Sequence, residues 1–302
     1  MSFDFTGVIV PMVTPLTAEE KLDGPAVRRL VDFLVAGGVD GIFILGSMGE
    51  GPMLRPSVRH ELAEATVEAA AGRVPVIAGA LEPSTARTIE EIRGLKCRGL
   101  EGYVVTTPYY FSAYNDEELL GHFTRIAEAA NLPVLLYNIP QNTKVPFGAD
   151  LVMKLAQVPS IVGLKDTSGD WPEFQALLNW RRDHDFRLLQ GNQSYMGISM
   201  LAGADGVVPG HGNVYPQLLV ELTAAGRKGD IATTMACQAR LDRLIRMRGR
   251  APQYTFKIVL KAMGLTEDYI ASPLPRLKPE EVDRFLTASI KAGLPIPGYG
   301  ER

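Results

Sequence analysis

Long apolar runs, cysteines and an excess of one charge are all scarce in this sequence, and each absence excludes a class of protein. No apolar run approaches the roughly 18 residues that a membrane span needs. The net charge is only −3 with acids and bases interspersed, which argues against a nucleic-acid-binding or membrane-surface protein. Two cysteines, Cys97 and Cys237, lie far apart with no motif around them, so we expect reduced thiols and a cytoplasmic protein.

Histidines are also few. The four histidines His60, His122, His184 and His211 show no metal-ligand spacing, so we expect no metal site, and a metal-dependent aldolase is a poor prediction. The N-terminus lacks the basic and then apolar layout of a secretion signal. The remaining composition, 46% hydrophobic and 22% charged in 302 residues, is ordinary for a globular enzyme.

Apolar strands alternate with amphipathic helices from the N-terminus to about residue 226. The pattern predicts strands at 6–15, 40–46, 74–80, 102–107, 133–138, 161–166, 187–191 and 206–209. Helices are predicted between and after them, at 25–37, 56–71, 84–97, 116–130, 148–157, 171–182, 195–202 and 214–226. Eight such units, with strands apolar on both faces, predict a closed parallel (β/α)8 barrel.

An open doubly wound sheet is the competing topology. It would be favoured by a glycine fingerprint after the first strand, where this chain has Pro11 and Pro15 instead. After Gly229 the alternation stops, and 231–248, 252–263 and 279–292 all read as helices. We therefore predict a catalytic barrel over residues 1–228 and a C-terminal helical region over residues 229–302.

The stretch 161–169 (IVGLKDTSG) places Lys165 near the C-terminal end of a buried strand, where α/β barrels carry their chemistry. Burial disfavours the charged form of a lysine and lowers its pKa. The resulting neutral amine could attack a carbonyl and form a Schiff base. Alternatively, Lys165 leaves the strand end and pairs with a carboxylate such as Asp166. This stretch alone leaves both hypotheses open.

Other strand ends carry polar or aromatic groups. The second strand ends in Gly46-Ser47-Met48-Gly49-Glu50-Gly51, which suits close approach to a small ligand but is also an ordinary tight turn. Tyr137 ends the fifth strand at a depth matching Lys165, as an acid/base group or as a structural tyrosine. The aromatic run Tyr109-Tyr110-Phe111 follows the fourth strand and predicts a subunit interface, a ligand lid or packing.

The seventh and eighth strands end in glycine-flanked polar clusters. These are Gly191-Asn192-Gln193-Ser194 and Val208-Pro209-Gly210-His211-Gly212-Asn213. Such groups suit the recognition of hydroxyls, and His211 is a candidate substrate contact at the barrel mouth.

Together these motifs resemble the dihydrodipicolinate synthase / N-acetylneuraminate lyase family of pyruvate-dependent class I aldolases. The similarity extends from about residue 5 to 294 and rests on four motifs in the right order. They are Gly46-Ser47-Met48-Gly49-Glu50, Thr107-Pro108-Tyr109-Tyr110, Tyr137-Asn138-Ile139-Pro140 and Gly163-Leu164-Lys165-Asp166-Thr167-Ser168-Gly169.

The resemblance implies a mechanism that needs no cofactor. The lysine matching Lys165 condenses with a 2-oxo acid, and the tyrosine matching Tyr137 moves protons near the imine. The residues matching Ser47 and Tyr110 relay protons, Tyr110 from a neighbouring subunit, so a homo-oligomer, a dimer of dimers, is implied. Backbone groups at Gly46, Ser47 and Met48 would hold the pyruvyl carboxylate, while Gly191 and Val208 would line the pocket.

Two positions depart from the synthase pattern. Met48 replaces a hydroxyl residue, and Asn142 stands where synthases that use aspartate semialdehyde carry arginine. We therefore expect a Schiff-base lyase that acts on a 2-oxo-3-deoxy sugar acid or a related hydroxy-oxo acid, by cleavage to pyruvate and an aldehyde or by dehydration. Asn142, Asn192, Gln193 and His211 would contact the substrate. The alternatives are dihydrodipicolinate synthase itself and a non-catalytic barrel that binds a 2-oxo acid.

Overall fold

The computed structural model describes residues 4–95, 97–247 and 251–291. In this part of the chain eight parallel strands close into a barrel in the order β1 to β8, which confirms the predicted (β/α)8 fold. The strands are β1 (Gly7–Pro11), β2 (Gly41–Ile44), β3 (Val76–Gly79), β4 (Leu100–Thr106), β5 (Val134–Asn138), β6 (Ile161–Asp166), β7 (Arg187–Gln190) and β8 (Gly206–Val207).

Helices surround the barrel, and each predicted helix is present within a few residues of its expected ends. They are α1 (Gly24–Ala36), α2 (Pro56–Ala70), α3 (Thr85–Gly94), α4 (Asp116–Ala129), α5 (Pro140–Thr143), α6 (Ala149–Leu155), α7 (Trp171–Trp180), α8 (Met196–Leu201), α9 (Pro216–Arg227), α10 (Ile231–Met247), α11 (Pro252–Ala262) and α12 (Pro279–Lys291). The predicted last residues of two helices, Arg248 and Ala292, lie outside the described residues.

The differences from the predicted pattern have local causes. Strand β8 stops at Val207, two residues early, because Pro209 has no N–H to donate to a neighbouring strand. Helix α9 starts at Pro216 rather than at residue 214, because proline suits the first helical turn. The one-turn helix α5 was not predicted, because four residues are too few for a helical period to appear in the sequence.

Two apolar cores hold the barrel together. The inner core fills the barrel with alternate strand residues, and Tyr137 is one of its members. The outer core lies between the strands and the surrounding helices. Because successive strand residues point to opposite faces, one strand supplies both cores. On β5 and β6, Tyr137 and Lys165 are direct register partners, so their predicted matching depth is confirmed.

The C-terminal helices pack on the barrel. Helix α10 lies along α8 and α9, and α12 contacts both α10 and α11. Buried residues of α10 and α11, among them Leu241 and Leu260, belong to the outer core that the barrel helices also form. The division at residue 228 stays a prediction.

None of the helices in the described ranges combines the length and the apolar character that a membrane crossing requires.

Candidate active site

A cavity of about 320 Å³ opens at the C-terminal ends of the strands. Parallel barrels place functional groups there because the loops that follow the strands converge on that face. The wall contains nine residues that the sequence did not single out as substrate contacts, together with the predicted Ser47, Met48, Tyr137, Asn142, Lys165, Gly191, Asn192, Gln193 and Val208.

Lys165 lies at the bottom of this cavity and is 4% exposed. Its Nζ is 3.7 Å from the centroid of the Tyr137 ring and 4.9 Å from that of Phe43. Burial lowers the pKa of Lys165, while the neighbouring Tyr137 acts in the opposite direction. Among the described residues no carboxylate forms an ion pair with it. Lys165 therefore has the environment of a lysine that can be neutral and nucleophilic.

The alternative pairing of Lys165 with Asp166 is wrong. Asp166 points to the other face of β6, where its carboxylate accepts hydrogen bonds from Asn138 Nδ2 at 2.7 Å and Ser168 Oγ at 2.9 Å. Adjacent strand residues face opposite sides, which separates the two side chains. Burial raises the pKa of Asp166 to about 6, with the hydrogen bonds from Ser168 and Asn138 opposing the rise.

Tyr137 is 3% exposed and contributes to both the inner core and the cavity wall. Its ring meets Phe43 edge to face, with centroids 6.4 Å apart at an interplanar angle of 83°. The ring is therefore held on one side by packing, while Lys165 lies over it on the cavity side. A fixed phenol beside an amine is suited to moving protons at an imine.

The loop after β2 brings Ser47 and Met48 to the cavity wall. Two of its glycines are required by close backbone contacts: a Cβ on Gly51 would lie 1.9 Å from Leu45 O, and one on Gly49 would lie 2.7 Å from Met12 O. Gly46 does not line the cavity, and a Cβ there would meet the Phe43 ring at 2.7 Å. The predicted substrate contact of Gly46 therefore has no support from the residues that line the cavity.

Asn142 lies on α5 and lines the cavity. The adjacent Gln141 is fixed, because its Nε2 donates to Thr167 O at 2.8 Å and to Ser168 O at 2.9 Å. Lys144 is exposed and its Nζ donates to Gln141 O at 2.6 Å, so it does not reach the cavity. Among Lys, Arg, His, Asp and Glu, Lys165 is the one residue in the described cavity wall.

Gly191 follows β7 and touches the lysine directly. A Cβ at this position would lie 2.1 Å from Thr167 Oγ1 and 3.1 Å from Lys165 Cε. A Cβ here would collide with Thr167 Oγ1 and make a tight contact with Lys165, so the close packing of this turn on β6 favours glycine. Asn192 and Gln193 come next and line the cavity, as does Val208 after β8.

His211 does not line the cavity, which corrects the prediction that it contacts substrate. The side chain is 2% exposed and meets the Phe256 ring edge to face, with centroids 4.8 Å apart. Its Nδ1 is 2.8 Å from Gln193 Oε1. The eighth-strand loop turns into a short 3-10 helix at Gly210–Asn213, and this turn directs the imidazole behind Gln193 rather than into the cavity.

Tyr110 lies away from the cavity and is 89% exposed, with Phe111 at 70%. The two rings contact each other edge to face, with centroids 5.0 Å apart. Tyr110 has a φ of +83°, a left-handed conformation that is uncommon for a residue with a side chain. Within one chain this tyrosine cannot serve the site that contains Lys165.

The C-terminal helices supply three cavity residues that the sequence analysis missed: Ile245 on α10, and Pro252 and Gln253 on α11. Gln253 Nε2 donates to Ser47 O at 3.2 Å, across 206 positions of sequence. The remaining missed residues are Pro11, Ile139, Gln141, Thr167, Ser194 and Gly210. Four of these six lie within predicted motifs and Gln141 directly follows one, whereas Pro11 is the last residue of β1. No local signal indicated that the C-terminal helices close the cavity.

A buried ion pair joins the same two parts of the chain. Lys257 Nζ on α11 lies 2.6 Å from Glu50 Oε1, and both side chains are fully buried. Lys257 also donates to Tyr269 O at 2.6 Å, and Glu50 Oε2 accepts from Ala271 N at 2.6 Å. Glu50 has a φ of +61°. The loop that carries Ser47 is thus anchored to the C-terminal region by charge and by hydrogen bonds.

A second cavity of about 260 Å³ adjoins the first and shares Ser47, Ile139, Asn142 and Gln253 with it. It is lined further by Tyr109, whose hydroxyl donates to Leu81 O at 3.0 Å. Tyr109 is therefore half-buried and bonded within the chain, while its neighbour Tyr110 is exposed.

Comparison with known proteins agrees with this arrangement. A sequence model of the Dihydrodipicolinate synthetase family matches residues 4–292. A 4-hydroxy-tetrahydrodipicolinate synthase of Azoarcus sp. (strain BH72) is 37% identical over 290 residues, covering 96% of this chain and 99% of that protein.

Two solved structures are similar over almost the whole chain. Dihydrodipicolinate synthase from Bacteroides thetaiotaomicron has a TM-score of 0.90 at 30% identity, covering 96% of this chain and 100% of that chain. YagE, a prophage protein of the dihydrodipicolinic acid synthase family from E. coli K12 solved in complex with pyruvate, has a TM-score of 0.91 at 30% identity, covering 96% and 99%.

Proposed function

We propose that this chain, which belongs to the dihydrodipicolinate synthetase family and is a lyase of the class I aldolase kind, cleaves a hydroxylated 2-oxo acid through an imine on Lys165. A 2-oxo-3-deoxy sugar acid or a related hydroxy-oxo acid would give pyruvate and an aldehyde. The observation that carries the proposal is the position of Lys165: buried, in contact with the Tyr137 ring, and unpaired with any described carboxylate at the bottom of a cavity.

The reaction begins when the neutral Lys165 amine adds to C2 of the substrate and water leaves, which forms an iminium. The bond between C3 and C4 then breaks, its electron pair moves toward the iminium nitrogen, and the C4 hydroxyl loses its proton as the aldehyde departs. The resulting enamine takes up a proton at C3, and hydrolysis of the imine releases pyruvate. We assign these proton transfers to Tyr137, whose ring lies against the Lys165 amine, and to Ser47 at the cavity wall as a relay.

The pyruvyl carboxylate would bind at the loop after β2. Ser47 and Met48 line the cavity, and neither of their backbone N–H groups donates a hydrogen bond to another described backbone group. Free N–H groups at a glycine-rich turn suit an anion. Met48 supplies no side-chain donor here, so the carboxylate would rely on the backbone and on Ser47.

Reduction of the imine tests the catalytic role. Incubation with pyruvate and borohydride should add one reduced pyruvyl group, which peptide mass spectrometry should place at Lys165. The Lys165→Met variant should remain unlabelled. An adduct at Lys144 or Lys257, or no adduct at all, would refute the proposal.

The synthase named for the relatives is the second candidate, favoured by proteins such as the Azoarcus enzyme at 37% identity. Aspartate semialdehyde carries a carboxylate, which the synthase arginine would bind by two charge-assisted hydrogen bonds. Asn142 offers a neutral amide, and Lys144 bonds to Gln141 O instead of reaching the cavity. We therefore propose that synthesis from aspartate semialdehyde is slower than cleavage by on the order of ten- to a hundredfold.

Steady-state rates distinguish these candidates. Condensation of pyruvate with aspartate semialdehyde is measured against cleavage of several 2-oxo-3-deoxy sugar acids, in the native enzyme and in Asn142→Arg. The variant should gain condensation activity and lose cleavage activity. A native condensation rate above every cleavage rate, unchanged by Asn142→Arg, would favour the synthase.

The active form is proposed to be a homo-oligomer, a dimer of dimers, in which Tyr110 enters a neighbouring site. Two adjacent aromatic rings exposed at 89% and 70% are costly on an isolated chain, and a second copy would cover them. Mixing inactive Lys165→Ala with impaired Tyr110→Phe subunits should restore activity, because some mixed sites carry neither lesion. A fully active monomer in light scattering would contradict this arrangement.

The cytoplasmic location stays a prediction.

A further inference from the structure

Hydrogen bonds fix the orientation of the Gln193 side-chain amide, so its oxygen and nitrogen cannot exchange places. Its Oε1 faces the backbone N–H of His211 at 3.0 Å. A backbone N–H can only donate, so the atom of the carboxamide that faces it must be the oxygen. The assignment of oxygen and nitrogen in this amide is therefore fixed by chemistry.

The imidazole of His211 faces the same oxygen. Its Nδ1 lies 2.8 Å from Gln193 Oε1, and because that oxygen only accepts, Nδ1 must carry a hydrogen and donate it. Gln193 Oε1 thus accepts two hydrogen bonds from one residue. Gln238 on α10 holds the backbone as well, since its Nε2 donates to Gln193 O at 2.9 Å.

The amide nitrogen of Gln193 is left for the cavity. Gln193 is 7% exposed and lines the cavity, and no described acceptor receives a hydrogen bond from its Nε2. The Asn192 amide is oriented in a similar way: its Oδ1 accepts from the backbone N–H of Ser194 at 3.1 Å, and no described acceptor receives a hydrogen bond from its Nδ2. Asn192 and Gln193 thus each keep amide N–H groups for a ligand, while their amide oxygens accept hydrogen bonds from Ser194 and His211.

We propose that His211 is a positioning residue that holds the Gln193 amide nitrogen toward the cavity, so that this part of the wall recognises an uncharged oxygen of the substrate tail. This rests on the proposed imine at Lys165. A hydroxyl suits the site because it accepts from the fixed N–H groups. A methyl leaves the donors unsatisfied, and a carboxylate finds no second cation in the described wall.

Trapping of matched 2-oxo acids tests the inference without turnover. The probes are 2-oxohexanoate, 6-hydroxy-2-oxohexanoate and 2-oxoadipate, which differ only at C6 as methyl, hydroxymethyl and carboxylate. None carries a C4 hydroxyl, so none can be cleaved, and borohydride labelling of Lys165 reports binding and imine formation. Half-saturating concentrations are expressed relative to pyruvate in each enzyme.

The native enzyme should prefer the hydroxymethyl tail by about five- to tenfold over both others, as expected for one or two neutral hydrogen bonds. His211→Phe keeps an aromatic ring against Phe256 but lacks the donor, and should abolish that preference. His211→Asn offers an amide N–H near the Nδ1 position and should restore most of it. His122→Phe is the matched control, because His122 is buried and hydrogen-bonded outside the cavity, and it should keep the native ratios.

Gln193→Glu gives an independent reading if His211→Phe does not fold. The variant keeps one oxygen for His211 and replaces Nε2 by a second oxygen, so 2-oxoadipate should weaken by a further tenfold or more relative to pyruvate. A native preference for 2-oxoadipate, an unchanged ratio in His211→Phe, or no effect of Gln193→Glu on 2-oxoadipate would overturn the inference. Failure of pyruvate itself to label Lys165 would instead defeat the proposed function.

Discussion

Two lysines of this chain are both buried, yet their surroundings differ in what they allow. Lys165 at the end of β6 lies over the Tyr137 ring beside a cavity, and burial lowers its pKa. Lys257 on α11 is also fully buried, and burial also lowers its pKa, but Glu50 opposes the effect from 2.6 Å and Tyr269 O accepts a further hydrogen bond.

The comparison of Lys165 with Lys257 shows that burial alone does not make a lysine reactive. A buried ammonium with a carboxylate and a carbonyl around it has a stable charged form, and its amine has no free lone pair. A buried amine beside an aromatic ring and an open cavity lacks that compensation and can be neutral. The first arrangement holds the C-terminal helices to the loop of Ser47, while the second supplies a nucleophile.

The largest expected effect comes from breaking the pair at Lys257. Lys257→Met should lower the free energy of unfolding by about 3–5 kcal/mol, because Glu50 is left as a buried charge without a counter-charge. Urea denaturation measures it. Adding Glu50→Gln to Lys257→Met should recover part of the loss, and a loss below about 1 kcal/mol in the single variant would show that the pair is not structural.

Replacing Lys165 by methionine should stabilise the protein, whereas Lys257→Met should destabilise it. Lys165→Met should raise the free energy of unfolding by about 1 kcal/mol at neutral pH, as is common when a functional group in an unfavourable environment is removed. The folded pKa lies below the unfolded value, so the unfolded state binds more protons and the native lysine destabilises the fold. The added stability of Lys165→Met should therefore vanish above about pH 10.4, where the native lysine is neutral in both the folded and the unfolded protein. A decrease in stability at neutral pH would contradict this account.

The pH dependence of labelling sharpens the comparison further. The rate of pyruvate trapping at Lys165 should rise with pH through the folded-state pKa, because only the neutral amine adds to the ketone. Its midpoint should lie below about 10.4, the ordinary value for a lysine side chain. Nα-acetyl-lysine treated in parallel is the control. A midpoint equal to that of the control would mean that burial does not activate Lys165.

The smallest effect is expected at the neighbouring carboxyl group. Asp166→Asn should leave the midpoint of Lys165 trapping unchanged, because Asp166 faces the other side of β6 and bonds to Asn138 and Ser168. The measurement is the same pH profile, and a shift of the midpoint by a full unit would restore the discarded pairing.

Much of the site could be predicted from local sequence. Strand β6 has the predicted bounds, and the depth of Tyr137 against Lys165 follows from two neighbouring strands of the same barrel. Periodicity and strand order are sufficient for such inferences because barrels have a regular register. The position of His211 could not be obtained in this way, since a short 3-10 turn decides which way its ring points.

The sequence by itself determined the barrel, the family and the lysine near the C-terminal end of β6, because apolar periodicity and short motifs are properties of neighbouring residues. Only the tertiary structure decided which residues distant in sequence close the cavity around that lysine. Gln253 reaches Ser47 across 206 positions, and the pairing of Lys257 with Glu50 links the same two regions. Contacts between residues so distant in sequence depend on how α10 and α11 pack on the barrel, and no local pattern records that packing.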